Sequence, residues 1–341
     1  MQYSKDGYAS ANYPAHSMTQ PVIISLWLSA LAVQNTLPAQ PSQPAVAIWP
    51  ETDSQRAPHG RGNVYAPDIL RFGNNLRMWF GGQGRDGHDR IHLAVSTDGV
   101  QWAQRGVVLE DPSANHLNDP SVVEANGTLF MFHTRAGSGV TDEVAVATST
   151  DGERWQMRGT ALAPGKSGAW DSHSVGRPSV LFGDGVFRMW YDGRKDLPPD
   201  APDQNAPKSN TSQRHVGYAT SRDGIHWERH GPVYDHDAGG IHVLSIGGHL
   251  AMLVEGRFGT EAATSRDGIR WRRIGLLVER AEAPAEQHGH VTPFLLPDQD
   301  GAGATLFYGA AAERAWNVNT IWGRRLSDAQ WLKLKSEESI P

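Results

Sequence analysis

Five segments of the chain each place a polar or charged residue where an apolar strand would otherwise carry Val or Ile. They are Asp68 in YAPDIL, Asp119 in LNDPSV, Arg177 in VGRPSV, His242 in GGIHVL and His290 in HGHVTP. Two carboxylates, a guanidinium and two imidazoles at matching places are the parts of a general acid–base site. Converging buried charges are costly unless they serve a function. Simple pairing of Asp68 and Asp119 with Arg177 is the structural alternative.

A second set closes the aromatic-rich segments that follow: Trp79, His133, Asp192 in MWYDGR, Glu255 in LVEGR and Tyr308. Glu255 follows the apolar run LAMLV, an environment expected to raise a carboxyl pKa toward general-acid duty. Asp192 is the next candidate and His173, in WDSHSVG, the third, while a salt bridge from Glu255 to Arg257 is the plain alternative. Soon after each of these segments comes an arginine: Arg85, Arg135, Arg194, Arg257 and Arg314. Such a ring of forked cations suits a carboxylate, sulfate or phosphate group. Pairing with neighbouring carboxylates would use up the same residues.

These positions recur because the chain repeats. STDGVQW, STDGERW, SRDGIHW and SRDGIRW begin at Ser96, Ser149, Ser221 and Ser265, which lie 53, 72 and 44 residues apart. Each box follows a short alternating strand (IHLAV, EVAVAT, HVGYAT, EAAT), an aromatic-rich strand before it and another apolar strand earlier still. A further strand follows each Trp. The Asp-Gly pair supplies a tight turn and the Asp and Ser oxygens bond nearby N–H groups, so the boxes read as structural. Trp102, Trp155, Trp227 and Trp271 are expected to bury large surfaces between units. A fifth unit, HVTPFLL, ATLFYGA and NTIWGRRL, lacks a box.

Four-strand units at this period predict an all-β fold, a five-bladed β-propeller of four-stranded antiparallel blades. VAIW, Val46 to Trp49, is placed to complete the last blade. The expected organisation is a leader over 1–45, the propeller over 46–334 and a tail over 335–341. The insert Asp196 to Gln213 has linker composition and reads as a flexible loop, a substrate lid or an oligomer contact.

Composition agrees. The 341 residues include 37 glycines, 21 prolines and 12 tryptophans, a turn-rich balance. A net charge of −6 argues against nucleic acid or anionic membrane as a partner. With no cysteine there is no disulfide, thiolate metal site or Cys nucleophile. PVIISLWLSALAV, Pro21 to Val33, is too short to span a bilayer and ends in an A-x-A-like pattern. It reads as an export signal, placing the protein in the periplasm or outside the cell, or as an arm for a homodimer in a cytoplasmic protein.

The pattern resembles the five-bladed β-propeller glycosidase superfamily, which holds glycoside hydrolase families 43, 32, 68, 62, 117 and 130. In that group an Asp at the start of the first blade commonly serves as base or nucleophile, a second Asp orients the substrate or tunes it, and an acid comes from a later blade. By position the resemblance implies Asp68 and Asp119 for the first two roles, while the acid has to be sought among Glu255, Asp192 and His173. HGHVTPFLLPDQDG is similar to the family 43 segment whose His joins an axial metal site, which implies His290 and a calcium-like divalent cation on the axis, with no other cofactor. The middle-blade acid Glu of family 43 is replaced here by Gly176-Arg177-Pro178.

The resulting expectation is a glycoside hydrolase acting on an oligosaccharide or polysaccharide, anionic if the arginines face it. Arg177, Asp192, His242, His133 and the arginines would hold the substrate, and Trp79, Trp190 and Tyr191 would stack on sugar faces. A phosphorylase or transferase on the same fold, and a non-catalytic glycan-binding propeller, are the alternatives.

Overall fold

A computed structural model describes residues 45–48, 62–137, 140–201, 205–234 and 236–336. The export-like run, the leader up to residue 44 and Trp49 lie outside the described residues. Five four-stranded antiparallel sheets follow in chain order. Blade I is β2(Asn63–Phe72), β3(Asn75–Gln83), β4(Asp89–Ser96) and β5(Ala103–Leu109); blade II is β6(His116–Ala125), β7(Thr128–Gly137), β8(Val140–Ser149) and β9(Gln156–Leu162). Blade III is β10(Ser174–Gly183), β11(Val186–Arg194), β12(His215–Ser221) and β13(Glu228–Tyr234); blade IV is β14(Ile241–Ile246), β15(His249–Val254), β16(Gly259–Ser265) and β17(Arg272–Glu279). Blade V takes β18(His290–Pro297), β19(Ala304–Ala311) and β20(Asn319–Arg325), and β1(Ala45–Ile48) pairs antiparallel with β20 to complete it. The five-bladed propeller is therefore as the repeats predict, with the boxless unit closed by an N-terminal strand. A helix, α1(Asp328–Lys335), is capped by a reciprocal Ser327–Gln330 box and buries Trp331 and Leu334.

The boxes hold the outer turns together. In each, the Ser Oγ accepts the Gly N–H (2.8–2.9 Å) while the Asp Oδ1 accepts two further N–H groups, as Asp223 does from Ile225 and His226 at 2.9 and 2.8 Å. The four Trp rings are half-buried, each standing edge-on against an aromatic of the preceding blade: Trp102 on Phe307, Trp155 on Trp79, Trp227 on Phe132 and Trp271 on Trp190. Trp79 and Trp190 return the contact by donating Nε1–H to Gly152 O and Gly268 O at 2.9 and 2.8 Å. The boxes thus stitch neighbouring blades, consistent with a structural role.

The insert after Asp196 carries its own order. Leu197 bridges Lys208, and Ser212 Oγ donates to Asp196 O at 2.8 Å. Its main consequence is Arg214, set down at the mouth of blade III. Among the described residues no helix is long and apolar enough to cross a membrane.

Candidate active site on the propeller axis

Every first strand begins with the same irregularity. Ala66, Asp119, Arg177, Gly240 and Thr292 all have positive φ, between 42° and 54°. Four of them precede proline (Pro67, Pro120, Pro178, Pro293) and sit in a β-bulge between first and second strands. Proline fits a bulge because it has no N–H to give the ladder, and the bulge turns the preceding side chain toward the axis. Left-handed backbone at Ala, Asp, Arg and β-branched Thr is unusual and clusters at functional sites.

This register corrects the alignment expected from sequence. Asp119 and Arg177 share a tier with Ala66, Gly240 and Thr292, but Asp68 and His242 lie two residues further along. Their true equivalents are Ser121, Ser179 and Phe294, and this second tier ties blades I to IV in series. Asp68 Oδ2 accepts Val122 N–H (2.9 Å), Ser121 Oγ accepts Val180 N–H (3.0 Å) and Ser179 Oγ accepts Val243 N–H (2.8 Å). His242 bonds the backbone of Leu295, and burial pushes its imidazole pKa down to about 3. Both tiers line one axial pocket, a cavity of ≈ 30 Å³.

His290 lies two residues before the Thr292 tier and does not line this pocket. It is fully buried, stacked on Tyr308 at 3.8 Å, with Nδ1 against Thr260 Oγ1 (2.9 Å) and Nε2 3.5 Å from Glu286. The expected axial cation therefore has no histidine ligand from this residue. No group of three or more His, Asp or Glu among the described residues converges as a cation cage.

Asp68 and Asp119 are both buried in the pocket, and desolvation raises both carboxyls from the ordinary 3.8 to about 7. Asp119 Oδ1 has no partner among the described residues. The Arg177 guanidinium opposes the rise at Asp119 and itself pairs with Asp192 at 3.0 Å.

The second-strand ends form the next ring, in a register that again differs in part from expectation. Gly81, Thr134, Asp192, Glu255 and Gly309 are the equivalent positions. Three of them satisfy the strained tier: Thr134 Oγ1 accepts Arg177 N–H (2.8 Å), Asp192 Oδ2 accepts Gly240 N–H (3.3 Å) and Glu255 Oε2 accepts Thr292 N–H (3.2 Å). Trp79, His133, Trp190, Tyr191 and Tyr308 are fully buried between blades instead and present nothing to a sugar. Burial pushes His133 down to about 4.

Glu255 is deeply buried, as expected, but its pKa moves the other way. Burial alone would raise it; the charges of Arg214 and Arg177 outweigh the burial and hold the carboxyl below the ordinary range. Its partner is Arg214, through Nη1 to Oε1, rather than Arg257. Arg214 Nη1 also lies 3.8 Å from Asp192. Arg214 was missed because it stands at the end of a linker-like insert, outside the repeating register.

The five arginines do not form a ring around the axis. Arg135 is bound by Asp111 and Glu143 at 2.8 and 2.9 Å. Arg257 lies 4.8 Å over Trp316 and donates to Arg314 O. Arg85 and Arg314 are exposed on loops. Arg194 alone joins the axial cations: burial lowers its pKa and the nearby charges of Arg214 and Arg177 add to this. His173 is half-buried, its N–H on Arg194 O. A larger groove of ≈ 740 Å³ lies between blades V and I at the opposite face, with Asp298 of its lining tied to Arg325.

The fold is a five-bladed β-propeller. Solved structures sharing it include a family 117 glycoside hydrolase from Zobellia galactanivorans (TM-score 0.58, 16% identity, 83% of this chain and 90% of that one). A beta-1,2-mannobiose phosphorylase from Listeria innocua is similar at TM-score 0.62 and 11% identity, over 83% and 95% of the two chains. Among curated proteins, a 1,2-beta-oligomannan phosphorylase from Thermoanaerobacter sp. (strain X514) is 29% identical over 129 residues, 37% of this chain and 41% of that protein. The chain aligns with about half the length of the curated relatives it matches. No protein-family model matches.

Proposed function

We propose that this propeller acts on a glycosidic bond of an oligosaccharide bound over the axial pocket. The observation that carries the reading is the pair Asp68 and Asp119, buried together with pKa values near 7 and therefore able to exchange protons at neutral pH. Asp68, with one oxygen fixed by Val122 N–H, is the base that takes a proton from the attacking water. Asp119, unpartnered at Oδ1, meets the sugar beside Asp68. Asp192 pairs with Arg177, Glu255 is held ionised by Arg214 and Arg177, and both accept sugar hydroxyls. Glu255, held ionised, has no proton to give at neutral pH, so the acid expected there must lie elsewhere.

Phosphorolysis is the second reading, favoured by the grouping of Arg177, Arg194 and Arg214 in one sector, where phosphate would replace water as nucleophile. The likeness to mannoside phosphorylases supports it. A glycan-binding propeller without catalysis is favoured by one residue: Ala66 stands where a first-blade carboxylate would share the tier of Asp119. The test is turnover of an aryl glycoside and oligosaccharide panel, with and without phosphate, for the wild type and Asp68→Asn. Turnover lost in Asp68→Asn supports hydrolysis; turnover that requires phosphate selects phosphorolysis. Unchanged ligand affinity in Asp68→Asn with no turnover in either protein selects binding.

A further inference from the structure

Outside the axial pair, one cluster of titratable side chains sits at the same mouth, where blades I and II meet. His116 opens β6, three residues before Asp119, and its Nδ1 lies 2.5 Å from Asp89 Oδ2 at the start of β4. Asn118 Nδ2 donates to the same Asp89 oxygen (3.3 Å) and to Tyr65 Oη (2.5 Å), and Tyr65 Oη donates to Asp89 (3.3 Å). Asp89 is buried, with Oδ1 unpartnered, whereas the His116 side chain is 36% exposed. One ring nitrogen is thus fixed on a carboxylate, while Nε2 has no hydrogen bond to any described residue and the ring is partly open to solvent.

Two glycines make room for this arrangement. A Cβ on Gly81 would come within 3.3 Å of the Asn118 Cβ, and one on Gly309 within 3.1 Å of the Tyr65 Cβ. Blades V and I therefore give up the side chain that blades II to IV use at the same position, and Tyr65 and Asn118 take the space. A cluster serving only to join two blades would need no half-open imidazole. The tiers of Ser121 and Ser179 join blades with single hydroxyls.

We propose that His116, aligned by Asp89, is the proton donor for the axial reaction, a role that rests on the glycosidic reading above. The imidazolium keeps its Nδ1–H on Asp89 and passes the Nε2 proton to the glycosidic oxygen. The C1–O bond breaks with its electron pair on that oxygen, water adds to C1, and its proton goes to Asp68. Products are the two free hydroxyl compounds, and the proton on Asp68 returns to His116 through solvent. His116 is the catalytic residue; Asp89, Tyr65 and Asn118 are positioning residues.

The charges facing the ring are Asp89 from β4, Asp142 from β8 and Asp119 on its own strand, all favouring the imidazolium, with the Tyr65 hydroxyl from β2 beside them. The hydrogen bond to Asp89 is the largest of these effects and raises the His116 pKa above the ordinary 6.5. Activity that needs the proton is then present below this pKa and lost as pH rises through it.

The experiment compares His116→Gln, Asp89→Asn and Asp119→Asn with the wild type on two substrates, a dinitrophenyl glycoside and the matching disaccharide. Loss of a donor should cost roughly 10²–10⁴-fold in kcat/KM on the disaccharide, whose leaving group needs protonation, and less than about tenfold on the activated one. Asp89→Asn should shift the alkaline limb of the pH profile to lower pH. Equal losses on both substrates, or full activity of His116→Gln where Asp119→Asn is inactive, overturn the role of His116 and leave the glycosidic reading standing. A wild type inactive on all glycosides, with and without phosphate, overturns both. An NMR titration of the ring nitrogens reads the dyad without turnover: an ordinary His116 pKa that Asp89→Asn does not change overturns it.

Discussion

Ala66 and Asp119 occupy the same backbone position in neighbouring blades. Their φ values are 53° and 52°, each precedes a proline, and each sits in the bulge that aims its side chain into the axial pocket. One carries a carboxyl and the other a methyl group. The axial carboxyl of blade I stands instead at Asp68, two residues on, where it also accepts the N–H of Val122. The propeller thus keeps two axial carboxyls while placing them in different tiers.

Asp119→Asn is the sharpest test of the axial pair. It preserves volume and hydrogen-bonding capacity but cannot ionise. Turnover by the wild type should fall about 10²–10⁴-fold in the variant, with binding of product changed far less. A variant within tenfold of wild type would remove Asp119 from the mechanism.

Burial makes a pH prediction with a definite sign. Unfolded, the carboxyls of Asp68 and Asp119 ionise near 3.8; folded, they hold protons up to about 7. The folded state binds more protons in that window, so stability falls as pH rises from about 4 to about 7 and then levels off for these groups. Urea unfolding at about pH 5 and about pH 8 should show the wild type losing a few kcal/mol more than the Asp68→Asn, Asp119→Asn double variant. Equal losses would mean that the two carboxyls titrate normally.

Arg214 should be the most sensitive cation. Its replacement by Met leaves Glu255 buried without its closest partner. Breaking a buried pair from one side costs about 3–5 kcal/mol. Chemical denaturation reads this directly, and a loss below about 1 kcal/mol would show that Arg177 alone suffices to hold Glu255.

The boxes should separate stability from turnover. Asp223→Ala removes the acceptor for Ile225 and His226 N–H groups at a turn between third and fourth strands, away from the axial mouth. About 1–3 kcal/mol of stability should be lost, with kcat/KM on the same substrate unchanged at a temperature where the variant is folded.

Chelation should do nothing. With His290 enclosed by Tyr308, Thr260 and Glu286 rather than facing the axis, prolonged EDTA treatment is expected to leave both Tm and turnover at their untreated values. A drop in either, restored by calcium, would reinstate an axial cation.

Much of the molecule is written in the order of residues. Period-2 alternation, aromatic second strands and four Ser-x-Asp-Gly-x-x-Trp boxes determine blade number, strand order and even the closing strand, because each is a local consequence of side-chain alternation and turn chemistry. The polar residues opening the first strands are equally visible, and Asp68, Asp119, Arg177 and His242 do meet in one pocket. Their tiers were not legible. A bulge shifts register by a residue, a shift decided by inter-strand hydrogen bonds rather than composition, so His290 and Trp79 looked axial and are not.

Charge was the least legible property. An apolar run before Glu255 implies a raised pKa, but its ionisation is set by Arg214, 41 residues earlier in the chain and brought alongside only when blades III and IV pack. In the same way Asp89 and His116 are unremarkable 27 residues apart and become a dyad where two blades meet. Sequence by itself determined which secondary structure forms and how often it repeats, since those depend on neighbours in the chain. Tertiary structure alone decided which groups are charged and which face the axis, since electrostatic energies depend on distance and burial across blades.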